Sequence, residues 1–265
     1  MFINRIDLKN RAKQLIRDAK PKIIVAGLFV VLLNLVVGFL SNRLIGLSDT
    51  EMERVMQLIS DGSSFDALVY WNSLSTTAEK LINLALNIVL QIVSMGFVIF
   101  LLNSIRNAGA VYGNLLDGFG MFWRIIALNI LESIFIFLWT LLFIFPGIIA
   151  AYRYRMAIYL LIDHPEMSPM ACIRESKRMM KGHKAELFVL ELSFFGWYLL
   201  AGVMEAIYPY LVYAVYIWVT PYTSTVFAIY YEQLRRISNP DSSPSVAGER
   251  VDYIDNGNDS DSNNY

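Results

Sequence analysis

This sequence predicts an all-α, polytopic membrane helix bundle of about six transmembrane helices plus cytoplasmic amphipathic helices, and three observations lead there. Of its 265 residues 56% are hydrophobic and 17% charged, where soluble domains average roughly 45–50% and about 25%. Mean hydropathy is +0.46. Several apolar runs reach the roughly 20 residues that cross about 30 Å of hydrocarbon, and the basic residues cluster between them in a few short segments.

Residues 1–22 form a basic arm. Along it Ile6, Leu8, Ala12, Leu15, Ile16 and Ala19 fall near one side of a helix, with Arg5, Lys9, Arg11, Lys13, Arg17 and Lys20 around the remainder. That pattern predicts a helix lying on the cytoplasmic membrane surface. No small-residue cleavage signature follows the first apolar run, so the run reads as an uncleaved span and not as a signal peptide.

The first span covers 23–45 and the second 81–104. Between them, residues 46–80 carry Asp49, Glu51, Glu53, Asp61, Asp66 and Glu79 against Arg54 and the boundary Lys80, which predicts a polar outer loop. The apolar stretch 123–163 is too long for one span. Read as one, it would put Arg174, Lys177, Arg178, Lys181 and Lys184 outside, against the inward bias of Lys and Arg. Read as a hairpin turning at Pro146 and Gly147, it returns that basic segment to the inside, with spans 123–145 and 148–163. The second limb is short for a crossing, about 24 Å. Spans at 186–206 and 210–232 follow, and 237–265, rich in Ser, Asn, Asp and Pro, reads as a disordered cytoplasmic tail. In this topology only Arg43, Arg54 and Lys80 of the 22 basic residues lie at or beyond the outer face.

Three patches resemble a bacterial integral membrane family, the domain of unknown function 975: IDLKNRAKQLI at the start, the continuous run from FIFLWTLLFIFPGIIAAYRYR through GWYLL, and PYTSTVFAIYYEQL near the end. The resemblance implies a multi-pass protein of the bacterial plasma membrane and no particular activity. More distantly, the Pro-Gly turn and the helix after it are similar to the membrane domain attached to some glycerophosphodiester phosphodiesterases, without the catalytic domain.

Ionisable groups inside spans are costly and point to function. Here they are Glu132, Arg153, Arg155 and Glu191, with Glu205 at the margin. At 1.5 Å per residue, Glu132 lies about 13 Å, Arg155 about 12 Å, Arg153 about 15 Å and Glu191 about 10 Å from the cytoplasmic ends of their helices. Equal depth predicts that Arg153 or Arg155 meets Glu132 or Glu191. Three readings of such a cluster stand side by side: a fixed interhelical ion pair, a polar cavity for an anion or head group, and a proton-coupled path. Pro146 and Gly147 are the candidate hinge.

Asn83, Asn87, Gln91 and Ser94 share one face of the second span, which predicts hydrogen bonding to neighbouring helices, with Asn34 and Asn129 as partners. Ser168 and Pro169 open a cytoplasmic helix that stops at Gly182. Its Arg174, Lys177, Arg178 and Lys181 are candidate contacts for anionic lipids. That basic face is short, so nucleic acid is not an expected partner; the bilayer and membrane proteins are. Enzyme signatures are absent: His164 and His183 form no HExxH, no phosphate-binding loop or GxSxG occurs, and Ser176 lies seven residues from His183. No cofactor, no metal and no catalytic residue are expected. One cysteine, Cys172, rules out an intramolecular disulfide. The expected function is a non-enzymatic scaffold, sensor or lipid-binding protein, and the rival is a transporter or permease subunit with its substrate site at the charge cluster.

Overall fold

A computed structural model describes residues 3–45, 49–74 and 76–238. Among them every regular element is helical. In chain order they are α1 (Arg5–Asp18), α2 (Ile23–Ile45), α3 (Asp49–Ser60), α4 (Ser64–Ser73), α5 (Thr77–Ile105), α6 (Asn114–Asp117), a 3-10 turn over Gly118–Met121, α7 (Phe122–Leu142), α8 (Ile144–Tyr154), α9 (Ala157–Asp163), α10 (Pro169–Met179), α11 (Lys184–Leu192), α12 (Phe195–Ile207) and α13 (Val212–Ser238). Four stretches are long and apolar enough to cross a membrane, namely Ile23–Ser41, Thr77–Ile105, Asn114–Leu142 and Val212–Ser238. The pair Lys184–Leu192 and Phe195–Ile207, bent by 44°, makes a fifth if it counts as one span. Of the predicted tail, Ile237 and Ser238 complete α13 and the rest lies outside the described residues.

The expected span 148–163 is not one helix. It is divided into α8 and α9 at Arg155–Met156. The chain does double back. An added Cβ on Gly147 would collide with the Thr140 side chain, and the Phe135 and Tyr154 rings lie 6.1 Å apart, so residues equidistant from the tip face one another. The pivot differs from the expected Pro146–Gly147 step: Phe143 is the extended residue, and Pro146 sits in the first turn of α8. Proline is tolerated there, because its missing N–H would have had no helical partner, while Gly147 permits the close approach of the two limbs.

The break in α8–α9 is filled from another helix. Ser176 of α10 donates to the Arg153 carbonyl at 2.8 Å and accepts from the Met156 N–H at 3.1 Å. Ser176 thus supplies the hydrogen bonds that a helix break leaves open.

The two amphipathic helices turn their apolar faces to the protein. Leu8, Ala12 and Ile16 of α1, spaced by four, are buried where α1 packs on α13. Such burial contributes about 5 kcal/mol as an upper estimate. The expectation that this side of α1 rests on the bilayer is therefore corrected, and only Ile6 of it stands well exposed. In α10, capped by Ser168 and begun by Pro169, Cys172, Ile173, Ser176 and Met179 are buried against α7, α8, α9 and α13.

The segment between α2 and α5, expected as a polar outer loop, departs from a plain loop. It folds into α3 and α4, joined at Gly62, whose φ of 78° suits glycine. Asn83, Asn87 and Ser94 also depart from expectation: each side chain donates to the carbonyl four residues earlier in α5 itself. Asn34 likewise donates within α2, to Val30. An intrahelical acceptor is always in reach of a short polar side chain, so a polar stripe does not require a partner helix.

Candidate functional site

Arg155 caps α8, and Glu191 lies in the last turn of α11, just before the break at Ser193–Phe194. Two helix interruptions therefore bring the pair together: Arg155 Nη2 lies 3.4 Å from Glu191 Oε1. Tyr152, one turn earlier on α8, donates to Glu191 Oε2 at 2.5 Å. The Arg155 guanidinium also stands 5.4 Å from the centre of the Phe227 ring of α13, within cation–π range. Yet its side chain is 52% exposed, and a single long ion pair leaves most of its donors open.

Glu132 on α7 feels the charge of Arg155, but its Oε1 is buried without a hydrogen-bond partner among the described residues. Arg153 forms no ion pair with Glu132 or Glu191 among the described residues, and its backbone carbonyl is taken by Ser176. Glu205 is exposed near the end of α12, away from this group. Of the four predicted cluster members, the structure pairs Arg155 with Glu191 and leaves Glu132 unpaired nearby.

A second charged network went unrecognised in the sequence. Arg106, the C-cap of α5, donates from Nη1 and Nη2 to both oxygens of Asp163 at 2.7 and 2.8 Å, and from Nε and Nη2 to Glu232 Oε2 at 3.0 and 2.8 Å. Tyr231 donates to Asp163 at 2.7 Å, and Arg235 donates to Glu232 at 2.7 Å. Arg236 lies 3.6 Å from the same carboxylate. Burial alone would lower the Arg106 pKa; the hydrogen bonds and charges of Asp163 and Glu232 outweigh it and hold the guanidinium above its ordinary value. With the Arg106 side chain only 22% exposed, this is a bidentate, charge-assisted clamp that ties together the ends of α5, α9 and α13.

The sequence signal for it was position. Arg106, Asp163 and Glu232 each stand at or just beyond the expected cytoplasmic end of a predicted span, with opposite signs at one level.

Residues 141–238 match the family model described as protein of unknown function (DUF975). Over those residues, somewhat more than a third of the chain, the protein is similar to that family. The resemblance drawn from the sequence is thereby shown there, and no curated protein and no solved structure matches the chain. The matched stretch holds Arg153, Arg155, Glu191, Asp163, Glu232, the Phe143 pivot with Pro146 and Gly147 beside it, and all of α10. Glu132 and Arg106 reach into it from α7 and α5.

Within the DUF975 stretch, Arg174, Lys177 and Lys181 are exposed. Arg178 is engaged by Glu175, at 2.5 to 3.0 Å. A cleft of about 350 Å³ between α9, α10 and α13 has Arg178, His164 and Arg235 on its wall. No group of three His, Cys, Asp or Glu side chains among the described residues is arranged to hold a metal ion.

Proposed function

We propose that this is a non-enzymatic protein of the bacterial plasma membrane that crosses the bilayer six times with both termini in the cytoplasm, and that its cytoplasmic face holds anionic lipid head groups while scaffolding or sensing partner proteins. The shared level of Arg106, Asp163 and Glu232 supports the six crossings, since it puts the ends of α5, α9 and α13 on one side. The inward bias of Lys and Arg supports the orientation.

The observation that carries the lipid reading is that α10 is clamped to the bundle through Cys172, Ile173, Ser176 and Met179, which leaves Arg174, Lys177 and Lys181 presented outward from a fixed support. Near a bilayer each such cation is worth about 1 kcal/mol toward anionic lipid. The basic residues of α1, which docks on the same final helix, extend the charged face. Reconstitution with spin-labelled phosphatidylglycerol and phosphatidylcholine tests it. The wild-type protein should immobilise the anionic lipid preferentially, and the combined Arg174→Gln, Lys177→Gln, Lys181→Gln variant should lose most of that preference. Equal preference in both proteins refutes the reading.

One observation favours a second reading, a transporter or permease subunit: Arg155 is half-exposed beside an unpartnered Glu132 oxygen, where α8–α9 and α11–α12 are both interrupted. Discontinuous helices around charged groups are how transporters build midplane sites. In a Cys172→Ala background, Arg155→Cys should react rapidly with a charged methanethiosulfonate if water reaches the site. A thiol inert in folded protein excludes an aqueous substrate path there.

A further inference from the structure

The segment between α2 and α5 holds two apolar faces that belong to no membrane-crossing helix. On α3, Met52, Met56 and Ile59 follow one another at spacings of four and three, which aligns them on one side of the helix. All three are exposed, Met56 at 62%. On α4, Phe65 at 74%, Leu68 at 65% and Val69 form a second exposed face. Val55 and Ala67, by contrast, are buried where α3 and α4 pack on each other. The contact between the two helices thus takes up one side of each and leaves the larger apolar residues outward.

Charge is sorted with the same regularity. Glu53 and Gln57 are exposed on the side of α3 away from the Met52–Met56–Ile59 stripe, and Asp61 is exposed in the turn that follows the helix. Apolar groups on one sector, and carboxylates on another, suit a boundary between hydrocarbon and water. Tyr70 and Trp71 at the end of α4 are residue types that settle at membrane interfaces; Arg54 stands 5.9 Å over the Tyr70 ring.

Chain length keeps the pair of helices at that boundary. α2 ends at Ile45 and α3 begins at Asp49; α4 ends at Ser73 and α5 begins at Thr77. Each gap spans at most about 14 Å even fully extended, and α2 and α5 are both long enough to cross the bilayer. The base of the hairpin is therefore tethered at both ends to the outer rim of the bilayer. It also lies outside the DUF975 match.

We infer that α3 and α4 form an interfacial hairpin seated on the outer leaflet, with the Met52–Met56–Ile59 and Phe65–Leu68–Val69 faces buried among lipid chains and the carboxylates in water. The partner is the lipid surface of the protein's own membrane. This contact stands independently of the cytoplasmic head-group site.

Single cysteines at positions 52, 56, 59, 65 and 68, and at 53, 57 and 61, in a full-length Cys172→Ala background carry an environment-sensitive NBD probe in phosphatidylethanolamine–phosphatidylglycerol vesicles. Probes on the apolar faces should emit to the blue and be quenched several-fold more by lipids carrying a nitroxide near the head group than by aqueous iodide. Probes at 53, 57 and 61 should show the reverse. Iodide quenching that is equal on both sides of α3 overturns the inference. So does shielding of the apolar-face probes from both quenchers, which would mark a protein neighbour such as a second copy of the chain. Because many positions are read in parallel, a single misfolded variant does not decide the result.

Discussion

Arg106 and Arg155 are both arginines at a helix end, both facing carboxylates from other helices, and they are built to opposite standards. Among the described residues Arg106 makes four hydrogen bonds of 2.7 to 3.0 Å to two carboxylates, while Arg155 has one ion pair at 3.4 Å and is half-exposed. With four of its five N–H donors engaged, the Arg106 guanidinium has little left to offer a ligand. An open one can take a ligand, so the difference separates a structural clamp from a candidate site although both carry the same charge and residue type.

The largest effect should come from the clamp. Arg106→Gln strands Asp163 and Glu232 with fewer partners, and removing one member of a buried ion pair costs about 3–5 kcal/mol. Thermal unfolding in detergent should show a large fall in Tm; a Tm close to wild type would erase the distinction drawn here. Adding Asp163→Asn should cost less than the sum of the single changes, since the second residue has already lost its partner.

An intermediate effect is expected at Ser176. Ser176→Ala removes the hydroxyl that serves both the Arg153 carbonyl and the Met156 N–H, and unmet buried groups cost about 1–3 kcal/mol. Faster hydrogen exchange at Met156 and its neighbours would place the damage at the α8–α9 break. Exchange unchanged there would mean that the break does not depend on α10.

The smallest effect belongs to the open site. Glu191→Gln should cost less than about 1 kcal/mol, as for other exposed ion pairs, because Tyr152 can still donate to the amide oxygen. Glu132→Gln should leave Tm unchanged, since the Glu132 Oε1 has no hydrogen bond to lose. Losses as large as that of Arg106→Gln would show that the Arg155 group is a second clamp.

Much of the helical path was legible because apolar length and basic clustering are properties of short stretches. The reversal near Pro146 followed from the sign of the charges after it, and the pairing of Arg155 with Glu191 followed from equal depth. What stayed hidden depends on which faces meet. The apolar side of α1 looks the same in sequence whether lipid or α13 covers it. Between α2 and α5, Met52, Met56 and Ile59 are diluted by acidic neighbours, so a high charge content concealed a helical stripe. Asn83, Asn87 and Ser94 looked like interhelical partners because residue type reveals hydrogen-bonding capacity and not the acceptor chosen. Arg106 escaped notice because its partners lie 57 and 126 residues away.

The clamp also has a consequence for biosynthesis. Glu232 and Arg235 belong to α13, and Glu232 follows Arg106 by 126 residues, so the carboxylate that completes the coordination of Arg106 is made long after the arginine itself. Until then Arg106 has Asp163 alone, and the nascent chain depends on water, lipid phosphate or an insertion factor for the remainder. Premature termination upstream of Glu232 should therefore yield a product that quality-control proteases recognise, even though every earlier hydrophobic segment has been made.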